Sequence, residues 1–145
     1  MDPIVRAALT IIIRWIHIAS VVTLIGGFVF ARVALAPALR TLPESERRKA
    51  GIRAVAAFRP LIYTVIATIF ASGIYNYMTG VRHPPVYQAW FGLKLLFVAH
   101  IFAVAILYAL RDVDEDKRQR WITGIVISGL IVIGISGYLR WISLA

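Results

Sequence analysis

Apolar residues run almost without interruption through four stretches of the chain, residues 8–36, 57–80, 87–110 and 121–143. Each exceeds the roughly 20 helical residues needed to cross a hydrocarbon core about 30 Å thick. The runs are continuous rather than alternating, which argues against strands, and a barrel of this length would lack enough strands to close. The pattern predicts an all-α fold, an integral membrane four-helix bundle forming one domain over residues 1–145. Ala34-Leu35-Ala36 looks like a signal cleavage site. The run before it is too long, however, Arg14 interrupts it and Pro37 follows, so the segment is expected to stay as the first span.

Three ionisable side chains fall well inside these runs: His17 in the first, Lys94 and His100 in the third. A titratable group within a bilayer costs several kcal/mol, so such residues usually face the bundle interior and mark a site. At about 1.5 Å of rise per residue, with the first span centred near Thr23 and the third near Val98, His17 and Lys94 lie ~9 and ~6 Å outward of the midplane. On the same scale His100 lies ~3 Å inward, and its six-residue offset turns it roughly 120° from Lys94. Asn76 in the second span and Ser136 in the fourth reach the level of His17. Residues of all four spans are therefore expected to meet in one layer. A single group held between His17 and His100 is disfavoured, because their depths differ by ~12 Å. Blander roles stay open: a hydrogen bond across helices for His17, a snorkelling side chain for Lys94, a satisfied buried imidazole for His100.

Composition sharpens the picture. The chain is 60% hydrophobic, and the absence of cysteine excludes disulfides, iron–sulfur clusters and thiolate metal sites. Its net charge of +9 is read as basic loops facing the cytoplasm and anionic lipid, not as a nucleic-acid surface. Arg40, Arg47, Arg48, Lys49, Arg53 and Arg59 lie between spans one and two, and Arg111, Lys117, Arg118 and Arg120 between three and four. Against these ten, the other side offers Arg6, Arg14, Arg82 and Arg140, four in all. The expected placement is a plasma (inner) membrane with both termini outside. Trp15, Trp90 and Trp141 would mark the outer interface and Trp121 the inner one.

Punctuation adds local expectations. Pro37 and Pro43 are expected to bracket a turn, with a short amphipathic surface stretch opening at Ser45-Glu46-Arg47-Arg48 and Pro60 in the first turn of span two. His83-Pro84-Pro85 reads as a rigid outer turn. Asp112 to Arg118 reads as a mixed-charge solvated loop. Thr64, Thr68, Ser72, Asn76 and Thr79 make a polar stripe along span two, read mainly as helix packing with Asn76 the exception. Glycines along span four permit packing against a further subunit, a second copy of the chain included. Arg14 lies near the outer surface, placed for lipid headgroups or for the carboxylates of a propionate-bearing ligand.

The residues Arg14-Trp15-Ile16-His17, Gly26-Gly27, Ala36-Pro37-Ala38-Leu39-Arg40, Phe58-Arg59-Pro60-Leu61, Ser72-Gly73-Ile74-Tyr75-Asn76 and Trp90-Phe91-Gly92-Leu93-Lys94-Leu95 resemble copper-resistance protein D (CopD) domain proteins over roughly residues 10–110. The chain is also similar to the HemJ-type protoporphyrinogen oxidases, four-span proteins that pair a first-span histidine with a third-span lysine. The matching positions are His17 and Lys94, with Arg32 a weaker match. Thr23 stands where many relatives have tryptophan. The resemblance implies copper handling or haem-linked oxidation. With only Met1 and Met78 and no cysteine, the soft ligands expected for Cu(I) are lacking.

Three functions follow as expectations. The first is a membrane redox protein binding one haem b or another porphyrin, with His17 as axial ligand. Lys94 would be second ligand or catalytic proton donor, Asn76 and Ser136 hydrogen-bond partners, and a quinone or partner redox protein the electron partner. The second is copper transport or copper resistance through His17, His100 and Met78. The third is an accessory subunit of a larger membrane complex.

Overall fold

In the computed structural model, which describes residues 2–80 and 84–143, the apolar runs form four helices: α1 (Pro3–Arg40), α2 (Glu44–Met78), α3 (Pro85–Leu110) and α4 (Glu115–Ile142). All four are long and apolar enough to cross a membrane, and no strand occurs among the described residues. Their starts are built by local chemistry. The Asp2 side chain accepts the Ile4 N–H ahead of Pro3, and the Asp114 side chain accepts the Lys117 N–H at 2.7 Å. Both satisfy backbone donors that a helix start leaves free.

The helices differ from the sequence expectations where prolines were taken as stops. Helix α1 does not turn at Pro37. It passes through a π-helical turn at Ala31–Leu35, in which the Ala36 N–H reaches the Ala31 carbonyl, and continues to Arg40. Proline lacks an N–H and crowds the carbonyl one turn earlier, so a widened turn just before it lets the helix continue. The turn falls instead at Thr41–Pro43, where the Thr41 and Leu42 N–H groups bond back to Ala38 and Leu39. Helix α2 likewise begins at Glu44 and runs unbroken for 35 residues with Pro60 in its interior, so residues 45–48 open the spanning helix and form no separate surface element. At about 1.5 Å per residue α2 is ~52 Å long, well beyond the hydrocarbon core. Buried Val55 and Ile62 pin it on both sides of the proline. Of the expected outer turn, Pro84 and Pro85 cap and begin α3, while Arg82 and His83 lie outside the described residues.

Helix α1 packs mainly on α2 and α3 mainly on α4. The α2/α3 and α1/α4 contacts close the ring, and among the described residues no close backbone approach joins α1 to α3 or α2 to α4, which meet only through side chains. The two diagonals are therefore α1/α3 and α2/α4. Phe28, with no exposed surface, lies edge-on to Phe58 at 5.7 Å and to Tyr108 at 5.3 Å, joining α1, α2 and α3 in one aromatic core. Close approach needs small residues at two points. A Cβ on Gly27 would stand 2.5 Å from the Phe58 ring, and one on Gly129 would stand 2.5 Å from Ile25. Without water-driven association between helices in lipid, such tight packing carries much of the bundle's cohesion.

The basic end is held by a bridge. Asp112, between α3 and α4, pairs with Arg48 of α2 at 3.3 Å and with Arg118 of α4 at 3.4 Å. Arg118 lies nearly covered over Gly51. Lys117 sits 5.6 Å above the Trp121 ring.

Candidate functional site

The core is not uniform along the bundle. In α1 no residue before Leu24 is buried, and in α3 none before Ile101. In the same half α2 and α4 stay buried out to Ser72 and Leu139. The inward stripe of α1 (Ile13, His17, Val21) and that of α3 (Phe91, Lys94, Val98) are only half-buried. The two diagonal helices α1 and α3 thus leave this half of the bundle partly open.

The floor of the opening is an apolar cavity of about 30 Å³ lined by residues of all four helices, among them Val21, Ile69, Val98 and Val132. One turn above each of these stands a polar residue of the same helix: His17 above Val21, Ser72 above Ile69, Lys94 above Val98, Ser136 above Val132. Helical periodicity puts residues three or four apart on one face, so the four polar residues form one tier facing the bundle axis. His17 on α1 and Lys94 on α3 stand at the two ends of one diagonal of this tier.

The His17 ring is fixed by α2. Its Nδ1 lies 2.8 Å from the Ser72 hydroxyl oxygen, and that hydroxyl donates its own proton to the Thr68 carbonyl at 2.5 Å. With its proton on the Thr68 carbonyl, Ser72 meets the ring as an acceptor for an Nδ1–H, the arrangement that leaves the lone pair of a neutral imidazole on Nε2. This is the tautomer a metal-ligating histidine needs, with its second nitrogen oriented by a hydrogen bond. Gly73 makes room beside it, since a Cβ there would stand 3.5 Å from His17 Cε1. An alanine fits that space as an ordinary contact; a valine does not. Gly73→Ala is accordingly expected to leave the environment of the His17 ring unchanged and Gly73→Val to displace the ring, read as movement of the imidazole resonances in NMR of the purified protein.

The rest of the tier does not close on itself. Lys94 is half-buried and has no hydrogen-bond or ion-pair partner among the described residues. Asn76, one turn outward of Ser72, buries its side-chain carbonyl oxygen with no partner. Ser136 uses its proton on the Val132 carbonyl at 2.7 Å and has only an acceptor to offer. Arg14 is exposed one turn outward of His17, within electrostatic range of Tyr87. Aromatic rings rim the mouth: Tyr77 stacks on Phe91 at 4.9 Å, and Trp90 meets Tyr138 edge-on at 5.1 Å.

Of the residues singled out from the sequence, His17, Lys94, Asn76 and Ser136 share this region, with Arg14 at its edge. His100 does not join them. It is exposed on α3, its Nε2 against Gly124 of α4. Met78 is 76% exposed at the end of α2, and no group of three or more histidine, aspartate or glutamate side chains gathers among the described residues. Sequence reasoning missed Ser72 as the partner of His17, along with Gly73 and the aromatic rim. The i, i+4 pair Tyr87/Phe91 was the one available signal for the rim. Comparisons with family models, with curated proteins and with solved structures return no match to this chain.

Proposed function

We propose that this chain is a plasma-membrane protein, both termini outside, that binds one haem b or a related porphyrin in the open half of the bundle. The observation that carries this reading is the His17–Ser72–Thr68 chain of hydrogen bonds, which presents Nε2 as a free ligand atom. The donor set suits the group: an oriented imidazole, an unpaired cation opposite it, and an orphaned amide oxygen in the adjoining turn. The 30 Å³ cavity is far too small for a macrocycle, which would have to lie above it, between the half-buried outer ends of α1 and α3. Bound there, the porphyrin would supply one-electron chemistry, with a quinone or partner redox protein as electron partner.

The chain's own residues have separable tasks. His17 supplies the ligand nitrogen, and Ser72 holds the ring and fixes its tautomer. Lys94 offers the opposite side of the tier a second ligand or a proton. Asn76 offers an acceptor and two amide hydrogens to whatever occupies the space between. The aromatic rings bordering the mouth give it an apolar surround, in which charges interact more strongly than in water. The resemblance to CopD-domain and HemJ-type proteins points to the same two residues, His17 and Lys94. The copper reading draws on His17, His100 and Met78, which lie on separate surfaces.

Titration of haemin into the haem-free, detergent-purified protein tests the proposal. The expected result is saturation at one equivalent with a Soret maximum shifted from that of free haemin. No saturable shift in the wild-type chain, or one unaffected by His17→Ala, overturns it.

A further inference from the structure

The lipid-facing groove between α1 and α4 carries a cation that the bundle does not neutralise. Arg32 lies nine residues from Thr23 at the middle of the first span, ~14 Å by helix rise, which is the edge of a ~30 Å hydrocarbon core. Thr123 of α4 stands two residues beyond Trp121, the aromatic anchor of the same interface, and the two depths agree. The Arg32 Nε–H donates to the Thr123 hydroxyl oxygen at 3.2 Å, and that hydroxyl donates to the Gln119 carbonyl at 2.8 Å. An arginine that merely snorkels has no such tether. Here one nitrogen of the guanidinium is tied down, and its remaining nitrogens have no acceptor among the described residues.

No acidic side chain among the described residues pairs with Arg32. Arg120, one turn from Thr123 on α4, is also exposed and unpaired, so two guanidiniums border the same groove. Away from them the groove turns apolar. Val29 continues the Arg32 stripe of α1, and Ile127, 54% exposed, continues the Thr123 stripe of α4. Charge at the interface and an apolar trough running inward match a phosphate with acyl chains attached.

We infer that the α1/α4 groove is a binding site for one anionic phospholipid, its phosphate held by the fork of Arg32 with Arg120 beside it and an acyl chain lying along Val29 and Ile127. Arginine suits the task because its planar fork matches two phosphate oxygens at once. Thr123 acts as a positioning residue that fixes the guanidinium plane.

Native mass spectrometry of the full chain released from detergent, with phosphatidylglycerol or phosphatidylcholine added, tests the site. One phosphatidylglycerol is expected to remain bound where phosphatidylcholine does not. Arg32→Gln is expected to weaken that binding about 10-fold, as loss of a charged hydrogen bond implies. Thr123→Val, which keeps the shape and both charges, is expected to weaken it by a smaller factor, and Arg53→Gln on α2 to leave it unchanged. Equal retention of the two lipids, or indifference to both Arg32→Gln and Thr123→Val, overturns the inference. So does protection of the thermal midpoint by inorganic phosphate alone equal to that given by phosphatidylglycerol, since the site would then take a free anion.

Discussion

The His17→Ala protein, purified from membranes of a haem-replete host, is expected to show no Soret absorption above that of adventitious haem. The imidazole is the one neutral nitrogen ligand in the tier whose orientation the protein itself sets, through Ser72 and the Thr68 carbonyl. Ser136 presents a hydroxyl that already donates to Val132, and His100 lies against Gly124 on another surface. Among the described residues no second imidazole stands in the tier, and Lys94 lies on the opposite helix of the diagonal. Ser72→Ala should be milder and informative for that reason. It keeps the ligand atom, frees the ring to rotate or change tautomer, and is expected to weaken haem binding by roughly 10–100-fold, as loss of an orienting partner does at other sites. An order in which Ser72→Ala exceeds His17→Ala would show that the serine, and not the imidazole, is the group that matters. Pyridine haemochrome content per chain separates the two variants.

Gly129→Ala is expected to be the most damaging small substitution in the bundle, lowering stability by about 1–3 kcal/mol as over-packing does. The added carbon would meet Ile25 Cδ1 at 2.5 Å, Cγ1 at 3.1 Å and Cγ2 at 3.3 Å. Three carbons of one buried, β-branched side chain stand in the way, so no single rotamer change clears them. Ile25→Val removes the nearest carbon, and the double variant Ile25→Val/Gly129→Ala should recover part of the loss. That recovery is the non-additivity expected of residues in contact. Gly134→Ala and Gly137→Ala serve as controls. A Cβ at either meets nothing within 4 Å, so helix propensity alone decides, and both are expected to be neutral or slightly stabilising. Thermal unfolding of the detergent-solubilised proteins reads all four.

Much of this architecture is legible in the sequence because a bilayer leaves so few choices. Four apolar runs must be four helices, and ionisable residues inside them must turn inward or find a partner. Helix ends are less legible. Hydropathy marks the stretch inside lipid, whereas Glu44 to Arg59 and Glu115 to Arg120 are good helix formers that carry α2 and α4 well past it. Pro37 and Pro60 were the misleading residues. Each breaks one backbone hydrogen bond but not the helix, since a π turn precedes the first and buried neighbours flank the second.

The shared level of His17, Lys94 and Ser136 follows from helix rise alone, because depth is a one-dimensional quantity, whereas Asn76, expected at that level, stands one turn outward of it. The partner of His17 does not. Thr64, Thr68, Ser72 and Thr79 all lie on one stripe, and Thr68, Ser72 and Thr79 each bond to the carbonyl one turn back. Which of them also meets the imidazole depends on the rotation of α2 about its axis, set by packing at Phe28, Phe58 and Ile62. The same rotation leaves the Asn76 carbonyl without a partner. Arg32 was visible as a charge near the end of span one. Its tether to Thr123 was not, because it joins residues 91 positions apart.

The most direct test of the central claim is the visible spectrum of the wild-type protein as purified, oxidised and then reduced with dithionite. The account predicts a Soret band that sharpens and moves on reduction, with resolved α and β bands of a b-type haem. A featureless visible spectrum from a host supplied with ample haem would contradict it.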